Sequence, residues 1–397
     1  MGNHRVRILF SNLRFALRPQ AALALARVFL LRTAIVFLFW SLNAFGAAGS
    51  YGGLTNAASI AVWDGLFRGA ADVGYRDNVS RTSVEPESSP FVHSSAEVSL
   101  IRLADTGSQL SLFLLGEDWR YLESSSVGYE QLASAMAQGS WILGNEFEAG
   151  GELQYIYQKQ VVDASENDAD LRRLLIEGHG FWARPRWRWN WHSAWYCQIE
   201  GTALRQLFGN DELDDYWEPS VRVSVAHKYG NRSEVSAGIQ TTHRFFDSRE
   251  QADKSGSIST NSSLSYWRPE IGAQVRHFWD ARRHWRTTTK VSYLWNQDNG
   301  TGYYDYDRFL LSQQARWGND AWDIKANARI GWYGYRTQKV GSDSRDRSYF
   351  ALDFRIERRI TRKLFVFASA EREWDFSNDP LDEYRDWSAS AGVGVEF

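Results

Sequence analysis

Eight basic residues in the C-terminal half of the chain, Arg268, Arg276, Arg286, Lys290, Arg316, Lys325, Arg329 and Arg355, sit at even spacings within runs that alternate polar and apolar side chains. In an extended strand such spacings place them on one face. Glu146, Glu148 and Glu152 repeat the pattern with acids, as do Glu371, Glu373 and Asp375. Opposed arcs of basic and acidic side chains across a wet lumen would create a transverse field that orders water and screens solutes by charge and dipole. The same groups would equally serve to neutralise one another, Arg355 with Glu357 or Glu371. The spacing alone leaves both uses open.

Other chemistries find less support. A lipid-side hydrolase needs a His, a Ser and an orienting group on one face. Here His227, His243 and His277 fall on the apolar face, whereas Ser224 and Ser236 fall on the polar one. The histidines are therefore expected at an interface, no catalytic residue is assigned, and the chain is not expected to be an enzyme. Cys197 is the single cysteine, which excludes an internal disulfide. The polar loops are rich in Asp, Ser, Asn and Gly, but none has a metal-ligand spacing, and no metal or cofactor is expected.

The elements that must position these charges are strands. Phe350, Leu352, Phe354 and Ile356 alternate with Asp353, Arg355, Glu357 and Arg359. Across a tight connection at 361–362, Leu364, Val366, Ala368 and Ala370 oppose Ser369, Glu371 and Glu373. Trp322, Ile324, Ala326, Ala328 and Ile330 oppose Asp323, Lys325, Asn327 and Arg329, and near the start Phe67, Ala71, Val73 and Tyr75 oppose Arg68, Asp72 and Arg76. A helical period fits none of these runs. About sixteen such segments can be counted, with the pattern blurred at 132–143 and 175–187. Their connections alternate in length. Short turns are expected at 105–107, 144–145, 189–190, 230–231, 280–283, 318–320 and 361–362, and longer polar loops at 77–90, 163–170, 247–259, 296–305, 337–347 and 377–385.

Composition agrees. The 397 residues are 15% aromatic, with 19 Trp, yet the mean hydropathy is −0.46. That mixture suits strands with one wet and one apolar face. Beyond residue 50 no apolar run approaches the roughly 18 residues of a spanning helix. Arg5, Arg7, Arg14, Arg18, Arg27 and Arg32 precede or enter an apolar stretch at 33–45, followed by the small residues Gly46, Ala47, Ala48 and Gly49. This is the layout of a secretory signal peptide, with cleavage expected between Ala44 and Gly49. Loss of residues 1–48 removes six of 45 basic residues and no acid, leaving 39 against 48 and a formal charge of −9. Nucleic acid is therefore not expected as a partner.

A soluble sandwich would alternate too. Full charges inside strands suit a wet lumen, and Trp317 with Trp322, like Trp279 with Trp285, brackets a short turn where a membrane-interface girdle would lie. At the end of the chain Trp387, Ala389, Ala391, Val393, Val395 and Phe397 alternate with Ser388, Ser390, Gly392, Gly394 and Glu396. Here Ser390, Gly392, Val395 and the terminal Phe397 resemble the last strand of Gram-negative outer-membrane β-barrel proteins, porin-like in form. The resemblance implies recognition by the barrel assembly machinery and a bacterial outer-membrane location.

The fold expected is all-β, a transmembrane antiparallel up-and-down barrel of about sixteen strands over 67–397, after a signal peptide at 1–48 and a short periplasmic segment at 49–66. That segment is too short for a plug or periplasmic helical repeats. The function expected is a porin-like channel for passive diffusion of small hydrophilic solutes. The alternatives are an export or structural barrel served by a separate periplasmic partner and, behind it, an outer-membrane enzyme. Outer-membrane lipid and lipopolysaccharide are the expected surroundings, the latter reached through divalent cations on acidic loops. Monomer and homotrimer are equally compatible with the sequence.

Overall fold

The computed structural model describes residues 62–103, 108–163, 173–209, 213–230 and 232–397. The expected signal peptide at 1–48, most of the expected periplasmic segment at 49–66, the expected turn at 105–107 and all but the first residue of the expected loop at 163–170 lie outside the described residues. Sixteen strands form one closed antiparallel sheet in which each pairs with its neighbours in sequence. They are β1 (Val62–Arg76), β2 (Ser89–Leu103), β3 (Ser108–Tyr121), β4 (Tyr129–Leu143), β5 (Phe147–Asp163), β6 (Arg173–Trp189), β7 (Trp195–Phe208) and β8 (Tyr216–Tyr229). The second half comprises β9 (Ser233–Ala252), β10 (Ile258–Phe278), β11 (Trp285–Asp298), β12 (Tyr306–Gly318), β13 (Trp322–Val340), β14 (Asp343–Arg359), β15 (Leu364–Ser377) and β16 (Tyr384–Glu396). β1 is described from Val62, ahead of the expected Phe67, because Val62 and Leu66 put apolar side chains on the inward face and Gly65 leaves the outer one bare, which hides the alternation without breaking the ladder to β2.

β16 closes the ring on β1 from Arg68 opposite Glu396 to Arg76 opposite Ser388. Phe397 adds a last rung: its N–H donates to the Phe67 carbonyl at 2.9 Å, and Phe67 N–H donates back at 3.0 Å. Closure removes the free edge, so every strand finds backbone partners within the wall.

One end of the barrel carries the short connections at 144–146, 190–194, 230–232, 279–284, 319–321 and 360–363; the other carries 77–88, 122–128, 209–215, 253–257, 299–305, 341–342 and 378–383. Two expected loops, 247–259 and 337–347, are instead mostly strand. β9 and β10 meet at a turn around Gly256 (φ +87°), and β13 and β14 at Gly341 (φ +63°), so polar hairpins extend the wall. Alternation of polar with polar residues gave no hydropathy signal there. At the loop end Glu87 ties two connections together. Its carboxylate accepts hydrogen bonds from the Ser125 hydroxyl, Ser124 Oγ (2.6 Å), Ser125 N (3.0 Å), Ser126 N (3.0 Å) and Ser126 Oγ (2.8 Å).

Those donors, the hydroxyls of Ser124 and Ser125 foremost, lower the Glu87 pKa from 4.5 to about 2. A depressed folded pKa stabilises the tie above the unfolded value and releases it as pH falls through the folded one. Amide protection at Ser125 and Ser126 is therefore expected to hold from neutral pH to about 4 and to fall toward pH 2, and Glu87→Gln is expected to weaken it already at pH 7. Hydrogen exchange at the two amides checks both.

The faces of the wall are reversed relative to a water-soluble protein. Val73, Leu153, Ile239 and Val393 are each more than half exposed on the outside, while Asp72, Arg76, Arg244, Arg268, Arg347, Asp375 and Asp386 on the inside are at most 8% exposed. An apolar exterior with charges buried within is the distribution expected when hydrocarbon is the outer solvent. At the turn end an aromatic belt runs along this exterior. Trp191 and Trp195 (6.4 Å), Trp195 and His227 (4.4 Å), Tyr229 and His277 (5.8 Å), and His277 and Trp279 (4.5 Å) stand in sequence around it. Inside, the loop end is packed by Leu204, Tyr216, Phe246, Leu264, Tyr266 and Tyr304, and by Leu294, Tyr306, Tyr333 and Tyr335.

Candidate functional site

Alternation sends one residue in two of each strand into the interior, and the ladder registers fix which charges meet. Arg268 on β10 donates from Nε to Asn296 Oδ1 (2.8 Å) and from Nη2 to the Tyr306 hydroxyl (2.9 Å), and lies 3.5 Å from Glu218. Arg276 approaches Glu234 at 3.5 Å. Asp323 on β13 receives both Arg316 (2.8 Å) and Lys325 (3.3 Å), and Arg329 reaches Asp353 at 3.6 Å. Arg355 lies 3.6 Å from Glu357, with its guanidinium 3.9 Å from the centre of the Phe367 ring. Arg286 and Lys290, both on β11, have no ion-pair partner among the described residues.

The acids are paired just as extensively. Glu148 meets Arg186 (3.5 Å) and Arg188 (3.2 Å), and Glu152 accepts from Arg184 at 2.6 Å. Glu371 accepts from Arg76 (3.2 Å), Glu373 from the Tyr384 hydroxyl (3.0 Å) with Arg81 at 3.7 Å, and Asp375 from Arg347 Nε (2.7 Å). Asp375 is buried and does not face open space. Glu146 lies outside the strands, in the 144–146 turn, and accepts from Trp189 Nε1 at 3.4 Å.

Two of the cavities between these pairs are lined by charges of both signs. One, of about 800 Å³ at the turn end, is lined by Arg68, Arg282, Arg283, Arg286, Arg316 and Arg359 against Asp320, Asp323, Glu357 and Glu396. The other, central and about 710 Å³, is lined by Arg76, Arg81, Lys325 and Arg355 against Asp72, Glu117, Glu130, Asp353 and Glu371. The first has an excess of cations, the second of carboxylates. In the first, Arg286 stands directly opposite Arg316 in the β11–β12 ladder. Like charges facing across a ladder are destabilising, and the Asp323 carboxylate is bonded to Arg316 alone of the two. In the second, Glu117 has no hydrogen-bond or ion-pair partner among the described residues. Near it His93 Nδ1 contacts Asp72 Oδ1 at 2.7 Å while the ring stacks on Trp119 at 4.4 Å.

Several of these groups escaped the sequence reading. The Arg184, Arg186 and Arg188 triplet has the spacing of an inward row and would have been found by reading β6 against β5. Glu117, Glu130 and His93 carry no such signal, because their neighbours two positions away on the same face are small or apolar: Leu115 and Trp119, Gly128 and Leu132, Phe91 and Ser95. Of the C-terminal set, Ser390 Oγ is 2.7 Å from Ser369 Oγ at the central cavity, Gly392 faces Asp72 in the closing seam, and Val395 pairs with Leu364 and Gly69. Phe397 completes the seam as described. The histidines stay apart from the serines singled out: His277 Nδ1 is 3.2 Å from the Tyr229 hydroxyl, and Ser224 and Ser236 face inward.

No protein-family model matches the chain, and no curated protein matches it. Among solved structures it is similar to OccAB1 of Acinetobacter baumannii, with 10% identity over 84% of this chain and 97% of that one and a TM-score of 0.42. OprD of Pseudomonas aeruginosa gives 7% identity over 84% and 95% with a TM-score of 0.41. A bacterial polysaccharide outer membrane secretin gives 12% identity over 84% and 97% with a TM-score of 0.41.

Proposed function

We propose that this chain is an outer-membrane barrel of a Gram-negative-type bacterium and conducts small hydrophilic solutes, after export directed by residues 1–48. The observation that carries this reading is the pair of charge-lined cavities inside a closed wall whose exterior is apolar. Each volume lies within the ~300–1,000 Å³ range of small-molecule sites, which favours small solutes over folded proteins. Its partners are then membrane lipid outside and solute inside, with Ser390, Gly392, Val395 and Phe397 presented to the assembly machinery. Pairing of most of the predicted lining charges leaves Arg286 and Lys290 to face anions from the turn end, and Glu117 to face cations at the centre.

The test is planar-bilayer conductance of the purified, folded protein. Steady ionic current is expected, and Arg286→Glu is expected to shift the anion-to-cation permeability ratio toward cations by roughly tenfold, in the range of focused electrostatic effects. Lys325→Glu changes a cation already neutralised by Asp323, and its effect is expected to be smaller. Absence of current in a folded, inserted barrel would overturn the channel reading.

A further inference from the structure

Cations on the outer face of the wall near the loop end are nearly all matched by carboxylates. Arg120 pairs with Asp118 (2.7 Å), Lys159 with Glu177 (3.3 Å), Arg205 with Asp247, and Arg336 with Asp307 (2.7 Å). Arg205 Nη1 donates to Asp247 at 2.8 Å. Two arginines on adjacent strands break this rule. Arg372 on β15 stands opposite Leu352 and Trp387, both exposed on the outer face, and Arg385 on β16 stands opposite Trp374. Neither has an ion-pair partner among the described residues. Asp77, on the neighbouring strand end, is engaged elsewhere, its Oδ1 accepting from Trp387 N at 2.6 Å.

The four residues form a checkerboard, with Arg372 beside Trp387 and Arg385 beside Trp374. The Arg372 guanidinium lies 4.9 Å from the centre of the Trp374 ring, which holds the charge against the wall. An arginine facing hydrocarbon at the bilayer midplane costs ~2–4 kcal/mol, falling to ~0–1 at the interface. Trp374 and Trp387 are the residue type that marks such an interface. An unneutralised guanidinium pair at that depth calls for an anion with several acceptor oxygens, and a phosphate fits the planar donor fork.

We infer that Arg372 and Arg385, with Trp374 and Trp387, form a docking site on the outer wall for the phosphate of an outer-leaflet glycolipid. The site rests on the membrane reading above. Its chemistry differs from a cation bridge through acidic loops, since the protein itself supplies the positive charge. The phosphate would lie between the two guanidinium groups while the acyl chains of the glycolipid lie along Leu352, level with Arg372, and Ala370 and Ala389, the next rung on the same outer face.

Native mass spectrometry of the full barrel in detergent tests this, with bis-phosphorylated lipid A and the same lipid stripped of its phosphates as probes. The phosphorylated form is expected to bind at least tenfold more tightly. Arg372→Ala with Arg385→Ala is expected to abolish the preference, while Arg205→Ala, which leaves both arginines intact, is expected to retain it. Equal binding of the two lipids, or an unchanged preference in the double variant, would overturn the site. Inorganic phosphate competing at equal concentration would assign the site to a free anion and likewise overturn the lipid assignment. Each variant is first shown to be folded by its unheated electrophoretic mobility. Failure of the wild type to insert into bilayers would sink the membrane reading, whereas insertion without phosphate preference sinks the docking site alone.

Discussion

Gly392→Val is expected to yield barrels that do not close. Gly392 faces Asp72 on the interior side of the β1–β16 seam, and a Cβ added there would stand 2.3 Å from the Ala71 carbonyl oxygen and 2.5 Å from Asp72 Cβ. The nearest obstacle is backbone, so relief requires the strands themselves to part. Crowding of a packed interior costs ~1–3 kcal/mol, and each ladder hydrogen bond lost contributes a further ~0.5–1.5 kcal/mol. Nine residue pairs and the Phe67–Phe397 rung form this seam, and its partners come from opposite ends of the barrel sequence, so nothing local restores it once opened. Two comparisons isolate the cause. The three atoms nearest a Cβ at Gly331 all belong to the Tyr349 side chain rather than to backbone, and Gly116→Ala meets nothing within 4 Å. Heat-modifiable mobility is expected to vanish for Gly392→Val and persist for the other two. A wild-type folded fraction in Gly392→Val would show that the seam tolerates the side chain.

This result bears on the resemblance carried by the C-terminal strand. Gly392 belongs to the residues that implied recognition by assembly machinery, yet the seam supplies a separate reason for glycine at that position. A defect seen only in cells would point to recognition, and one that persists on refolding into detergent would point to packing.

The strands were legible where the two faces differ in kind. β13, β14 and β15 set apolar side chains against full charges, and alternation located them closely. β4 was obscure because Ala133, Ala135 and Ala137 occupy the outer face while Leu132 and Met136 share the inner face with Glu130, so the hydrophobic contrast is inverted. β6 was obscured by Pro185, near which the ladder to β7 is interrupted, and by Gly178 and Gly180. Ion pairing was less legible than the strands. The inward charges could be named from one strand at a time, but their partners depend on the offset between strands and on reach across the interior. Arg76 and Glu130, on β1 and β4, exemplify contacts for which local spacing carries no signal.

Arg76→Met is expected to destabilise the folded barrel by about 3–5 kcal/mol, the cost of breaking a buried charge network by removing one sign. Arg76 is 8% exposed and gathers three carboxylates: Asp386 at 3.2 Å, Glu371 at 3.2 Å and Glu130 at 3.7 Å. It also donates to the Tyr121 hydroxyl at 3.1 Å, which in turn donates to Glu130 at 2.6 Å. Methionine fills much of the same volume, so the loss is electrostatic rather than a cavity. Its consequences differ among the partners. Asp386 is 2% exposed, and its other cation, Arg81, stands farther off at 3.8 Å, whereas the Glu371 side chain is about half exposed and water can replace the lost donor. Double-mutant cycles in urea, followed by tryptophan fluorescence, are therefore expected to give a larger coupling for Arg76→Met with Asp386→Asn than with Glu371→Gln. Equal couplings would mean that water reaches both acids alike, and the network would then line an open path rather than a packed interior wall.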